Sequence, residues 1–267
     1  MIGLVYFFAA LLGLCVGSFL NVLVYRIPNR INIAVPRSHC PQCSYTLKWY
    51  DNIPVLSYCI LRGRCRNCGG KIPIRYTIVE LGNALLWVGC VAAFWNTSIP
   101  MACIYAVSLS ILLTMACTDL EYLIVPDSLQ IALGVLALAS LVLSATGVDK
   151  AVTWYSRLIG AAVFGFAFLV ISVLYEKKAG REAMGGGDIK LAFVAGMLLG
   201  WEKMLGAMLI STIVASIVLL IVRKAAKQDK NTQYPFVPFM VLGIAVMIFF
   251  GDFIVNGYMN LMTGFIK

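Results

Sequence analysis

Residues 100–127 read P-M-A-C-I-Y-A-V-S-L-S-I-L-L-T-M-A-C-T-D-L-E-Y-L-I-V-P-D. From Pro100 to Thr118 no residue is charged. That run is close to the ~20 apolar residues that cross a bilayer as one helix. It stops at Asp119. A carboxylate at the edge of a membrane span is costly, so it is read first as a functional residue. Further apolar runs cover 2–25, 77–95, 129–147, 157–175, 189–201, 204–222 and 236–256. With 61% hydrophobic residues in a chain of 267, this pattern excludes a soluble globular domain. The expected fold is an all-α polytopic membrane protein with about eight transmembrane helices.

The run 189–201 is short and is expected to be tilted, thinned or re-entrant. The first run ends in N-V-L-V-Y-R without a small-residue cleavage site, so it reads as a retained span. The domains expected are a first span at 1–25, a cytoplasmic four-cysteine zinc domain at 26–76, and a membrane domain with about seven spans at 77–267. No internal repeat is visible.

Charge sets the orientation. Residues 26–76 hold nine Lys/Arg and one acid, Asp51. If they are cytoplasmic, the N-terminus is outside. The segments 119–128, 176–190 and 223–235 then also fall inside. The inside total is seventeen Lys/Arg, including Lys177, Lys178, Arg181, Lys190, Arg223, Lys224, Lys227 and Lys230. The outside total is four: Lys150, Arg157, Lys203 and Lys267. This bias follows the positive-inside rule and places Asp119 and Asp188 on the same cytoplasmic side. The basic excess also suits an anionic lipid surface. Aromatic residues are not interleaved with the charges as on a strand-binding surface, so no nucleic-acid partner is expected.

The polar excursion carries C40-P-Q-C43 and C65-R-N-C68. Two such pairs can complete a tetrahedral zinc site, and four thiolates leave no open position for water. A structural, non-catalytic zinc is therefore expected at Cys40, Cys43, Cys65 and Cys68. It would supply folding free energy to a segment too polar to bury a core. His39 reads as a loop residue, because four thiolates suffice. Of the remaining Cys15, Cys59, Cys90, Cys103 and Cys117, all but Cys59 lie in apolar runs, where cysteine acts as a small hydrophobe.

Asp188 follows Gly185-Gly186-Gly187 and opens an apolar run. A helix cap accounts for an aspartate there, but three glycines exceed what a cap needs. They permit close backbone approach, as a substrate strand beside Asp188 would require. Asp127 reads as a helix start and Glu121 as a loop acid. Asp119 sits at the C-terminal end of its span, where the helix dipole opposes a negative charge. By their own helices, Asp188 is expected to ionise more readily than Asp119.

These motifs together resemble the type IV prepilin peptidases, bacterial membrane aspartic proteases of the GxGD class. The likeness begins at G17-S-F-L-N-V-L-V-Y-R-I-P28 and continues through S-H-C-P-Q-C, D-N-I-P-V-L-S-Y (51–58), L-R-G-R-C-R-N-C (61–68) and R-Y-T-I-V-E-L (75–81). D119-L-E-Y-L-I-V-P-D127 and G185-G-G-D188 match the two catalytic-aspartate motifs. The resemblance implies Asp119 and Asp188 as the catalytic pair. It implies cleavage of the basic leader of prepilins or pseudopilins at the cytoplasmic face of the bacterial inner membrane, in pilus assembly or type II secretion. It further implies N-methylation of the new terminus with S-adenosylmethionine. No Rossmann-type loop is present. A site for that cofactor is therefore expected between the four-cysteine segment and the membrane, with Asn52, Gly63, Arg64 and Glu80 as candidate lining residues. The alternative reading is a zinc-stapled membrane transporter or scaffold whose aspartates bind protons or a cation.

Overall fold

The computed structural model describes residues 2–179, 185–226 and 234–265. Arg181, Lys227, Lys230 and Lys267 of the charge count lie outside them. Among the described residues the protein is helical, and its only pairings of β type are two isolated bridges. The elements are α1 (Ile2–Arg26), α2 (Leu56–Ile60), α3 (Arg75–Phe94), α4 (Ile99–Tyr122), α5 (Asp127–Ala145), α6 (Trp154–Ala179), α7 (Gly186–Leu199), α8 (Trp201–Ala226) and α9 (Val237–Phe265). A 3₁₀ turn, Trp49–Asn52, precedes α2.

Each of the eight apolar runs becomes a helix. Seven are long and apolar enough to cross a membrane. The eighth, α7, has 14 residues, about 21 Å at 1.5 Å per residue. That falls short of a hydrocarbon layer of ~30 Å.

The chain divides into two compact units, Met1–Thr114 and Met115–Lys267, with the division inside α4. In the first unit α1 packs on α3. Gly13 and Gly17 permit it: a Cβ at either would lie 2.7 Å from the Cα of Ala84 or Glu80. Small residues four apart let membrane helices touch backbone to backbone. Asn83 Nδ2 then donates to Gly13 O at 2.8 Å, and Asn21 Nδ2 to Tyr76 O at 3.1 Å. Such buried polar contacts contribute about 0.6 kcal/mol each in membranes.

In the second unit α7 packs against α5 and α6, and α8 pairs with α9. The short α7 ends at Gly200, whose φ of +81° suits glycine. Its last carbonyls meet Arg157 of α6, which is fully buried. Arg157 donates to Leu198 O, Ser140 Oγ and the Asp149 carboxylate. Helix ends left in apolar surroundings require such partners. α7 therefore ends inside the protein while its first turn carries Asp188.

Candidate active site and metal centre

The excursion between α1 and α3 builds two matching turns. Cys40 N–H donates to Tyr45 O, and Cys65 N–H to Gly70 O. Ser44 N–H returns to Cys40 O, and Gly69 N–H to Cys65 O. Each turn is closed by a bridge, His39 with Thr46 and Arg64 with Lys71. The two knuckles thus repeat one geometry 25 positions apart, a local repeat hidden by their different side chains. Ser44 takes the left-handed conformation (φ +55°) that Gly69 takes in the second knuckle (φ +70°).

The knuckles bring Cys40, Cys43, Cys65 and Cys68 together, all four sulfurs within 4.8 Å of one another. Cys40 and Cys68 are 3.9 Å apart, and Cys43 and Cys65 are 4.0 Å apart. A tetrahedron with metal–sulfur bonds of ~2.3 Å has edges of about 3.8 Å. The donor set therefore fits zinc. The Tyr45 N–H, and then the Asn67 side chain, bring the Cys43 thiol down to about 7. The N–H groups of Cys68 and Asn67 lower Cys65 too. At Cys68 the Gly70 N–H pulls downward, but the Cys43 thiol, then burial and the other two thiols, outweigh it and hold the thiol at about 11. A cluster whose first thiols ionise readily while the last keeps its proton is one that a dication completes. Asp51 braces the second knuckle through Arg66 at 2.8 Å. His39 is exposed and lies outside the cluster.

Four further positions lie in the same unit. Asn52 lines a cavity of about 390 Å³ with Ser18, Phe19, Arg26, Arg37 and Ser38. Arg26 is buried and donates to the carbonyls of Asn32, Ile33 and Pro36. Glu80 accepts the Val55 N–H at 2.7 Å and bonds the cavity-lining Ser18. Gly63 lies under the Tyr58 ring, and Arg64 belongs to the second knuckle's bridge.

The carboxylates belong to the second unit. Asp119 occupies the last turn of α4, which ends as Leu123 turns left-handed (φ +53°) and donates its N–H to Asp119 O. Asp188 is the third residue of α7, and its carboxylate reaches back to the N–H of Gly185. This is the returning half of a capping box. α5 and α6, both long and apolar enough to cross a membrane, lie between the two aspartates, so two crossings would return the chain to the same edge. Burial, and then the Asp119 charge, push the Asp188 carboxyl up to about 6, against a smaller pull from Gly185. Asp119 itself is only 6% exposed and accepts the Val237 N–H at 3.0 Å.

The glycines differ from one another. A Cβ on Gly187 would lie 2.8 Å from Val125 Cβ, whereas nothing lies within 4 Å of one on Gly186. Gly187 O accepts from the buried Gln130 Nε2 at 3.1 Å. Asp127 begins α5 and pairs with Lys190 at 2.6 Å in an exposed contact. Gln130 and Val237 escape sequence reasoning. The only signals are an amide inside an apolar run and the motif P-F-V-P-F, 118 positions after Asp119.

The fold and site define a class: a multi-pass helical membrane protein with an aspartate pair, Asp119 buried and Asp188 half-buried, and a four-thiol centre. Residues 11–94 match the model of the bacterial peptidase A24 N-terminal domain, and residues 106–221 that of the type IV leader peptidase family. The chain is 39% identical over 231 residues to the prepilin leader peptidase/N-methyltransferase of Myxococcus xanthus, covering 85% of this chain and 67% of that one. Proteins of the same name from Burkholderia pseudomallei (34% identity; 91% and 85% covered) and Xanthomonas campestris pv. campestris (33%; 94% and 93%) are also similar. No solved structure matches the chain. The chain belongs to the type IV leader peptidase family.

Proposed function

We propose that this protein is a prepilin leader peptidase that also N-methylates its product. The observation that carries the reading is the pairing of Asp119 with Asp188, in which burial and the other's charge let one carboxyl hold its proton up to about pH 6, well above the ordinary carboxyl range. Two carboxylates sharing a proton can hydrolyse an amide: one activates water while the other polarises the scissile carbonyl. The substrates are prepilins or pseudopilins, whose apolar helix lies in the bilayer while the basic leader emerges at the cytoplasmic face. The distribution of Lys/Arg, seventeen against three once the buried Arg157 is set aside, supports that orientation, with the N-terminus outside and the bacterial inner membrane as the location. A transporter would place such acids near the bilayer midplane, whereas both lie at one edge.

The four cysteines hold a structural zinc, for which the sulfur spacings speak. S-adenosylmethionine supplies the methyl group. Its carboxylate suits the arginine-lined cavity of the first unit, where Arg26 is buried with only carbonyls as partners among the described residues. The test is to incubate the detergent-solubilised full chain with a prepilin and S-adenosylmethionine, then read intact masses. Loss of the leader with one added methyl mass is expected. Asp119→Asn and Asp188→Asn should each lower cleavage at least about a hundredfold and leave methylation of pre-cleaved pilin intact. Near-normal cleavage by either variant would remove that residue from the pair.

A further inference from the structure

Asp119 closes α4, so its own helix dipole opposes a charge there. A second helix changes the local field. α9 begins at Val237, and the first N–H groups of a helix have no partner within it. Pro238 has no N–H, and the Phe239 N–H goes to Phe236 O. The Val237 N–H instead donates to Asp119 Oδ2 at 3.0 Å, and the Phe236 N–H also serves that carboxylate. The contact is dry, because Asp119 is 6% and Val237 0% exposed. An N–H only donates, and an ionised carboxylate only accepts.

We propose that the start of α9, through the Val237 N–H, holds Asp119 as the ionised, water-activating member of the pair and leaves the shared proton to Asp188. Val237 is a positioning residue whose backbone is the working part, and it lies beyond the family-matched residues 106–221. The high proton affinity of Asp188 agrees with this division. Of the other charged groups, Glu121 shares the last turn of α4 with Asp119, Asp127 and Lys190 pair with each other, Lys177, Lys178, Arg223 and Lys224 lie in the last turns of α6 and α8, and residues 235–240 at the start of α9 carry none.

In the resulting step, the water oxygen bonds the scissile carbon as Asp119 takes its proton, and Asp188 gives its proton to the carbonyl oxygen. The diol then collapses. The carbon–nitrogen bond breaks, the nitrogen takes the proton from Asp119, and a diol hydroxyl returns one to Asp188. Both carboxyls end as they began.

This inference rests on the peptidase reading, and its test separates the two. Val237→Pro deletes the donor at the first helical position, where proline is well accommodated. Val237→Ala removes more of the side chain and keeps the donor. The measurement is kcat/KM for prepilin cleavage by the full-length variants from about pH 4 to 7, with methylation of pre-cleaved pilin as a control. Val237→Pro should move the acid limb up by about one pH unit, roughly a tenfold loss on that side, while Val237→Ala leaves it in place. Coincident limbs for Val237→Pro and wild type overturn the inference. If Val237→Pro does not accumulate, residual cleavage in the asparagine variants decides. At least about tenfold more in Asp188→Asn than in Asp119→Asn supports these roles, and equality or the reverse order overturns them. Absence of wild-type cleavage sinks the peptidase reading and this inference with it.

Discussion

Raising the pH should disarm the peptidase by stripping the proton from Asp188. Its carboxyl is pushed to about 6 by burial and by the Asp119 charge, against an ordinary 3.8. The pair works with one proton, so kcat/KM should follow the protonated fraction of Asp188. With a midpoint near 6 that fraction is about one-half at pH 6, one-eleventh at pH 7 and one-hundredth at pH 8. Cleavage efficiency should therefore fall about fiftyfold from pH 6 to pH 8, with a limiting slope of one decade per pH unit. The sign is set by the raised value: an unperturbed carboxyl would have lost its proton well below pH 6. kcat should decline at higher pH than kcat/KM, because a bound apolar substrate helix dehydrates the site further and favours the neutral acid. The assay is steady-state cleavage of a prepilin by the solubilised chain. Methylation of pre-cleaved pilin at each pH reports general damage. A kcat/KM constant from pH 6 to 9 would refute the assignment of the shared proton to Asp188.

Cys40→Ser, or chelation, should take bound zinc from one equivalent to near none and expose residues 26–76 to proteolysis, because metal binding there is folding free energy. Metal analysis with limited digestion checks it, and an intact, protected segment without metal would count against a structural role. Gly187→Val should cut cleavage at least about tenfold by forcing the α7 start from Val125. Gly186→Val meets nothing within 4 Å, so it should keep the melting temperature and raise KM if the substrate backbone passes there. Arg157→Met leaves the Asp149 carboxylate buried without its cation, a loss of about 3–5 kcal/mol, visible as a lower melting temperature that Asp149→Asn in the same chain should partly restore.

Much of this arrangement is legible in the sequence because it is written locally. Apolar runs announce their helices, and C-x-x-C announces a thiolate turn whatever surrounds it. The matching of the two knuckles is hidden because Ser44 occupies the left-handed place that Gly69 fills, and only the backbone reveals their equivalence. Arg157 enters a count of exterior cations but is fully buried against the end of α7. Residue type reports charge and says nothing of the carbonyls that a folded neighbour presents. The partner of Asp119 is hidden for the same reason. Dipole reasoning along the chain sees α4, which opposes a charge, and misses α9, which arrives 118 positions later with a free N–H.

The shortness of α7 and the position of Asp188 are one problem with one solution. A helix of about 21 Å cannot have both ends in water across a layer of ~30 Å. With Asp188 in its first turn at the polar edge, its C-terminal carbonyls must end at depth. Free carbonyls there would cost several kcal/mol each. Arg157 meets them, and Asp149 offsets its charge. A full-length span would need no such cation. It would also fix its N-terminus by bilayer thickness, whereas α7 is fixed by its contacts with α5 and α6. Those contacts include Gly196, where a Cβ would fall 2.4 Å from Gly160 O. Packing this close leaves little axial play, so the depth of Asp188 is set by protein against protein and not by lipid. A carboxyl that must meet both Asp119 and a scissile bond requires that kind of placement, since an ångström of drift at such a site costs orders of magnitude in rate.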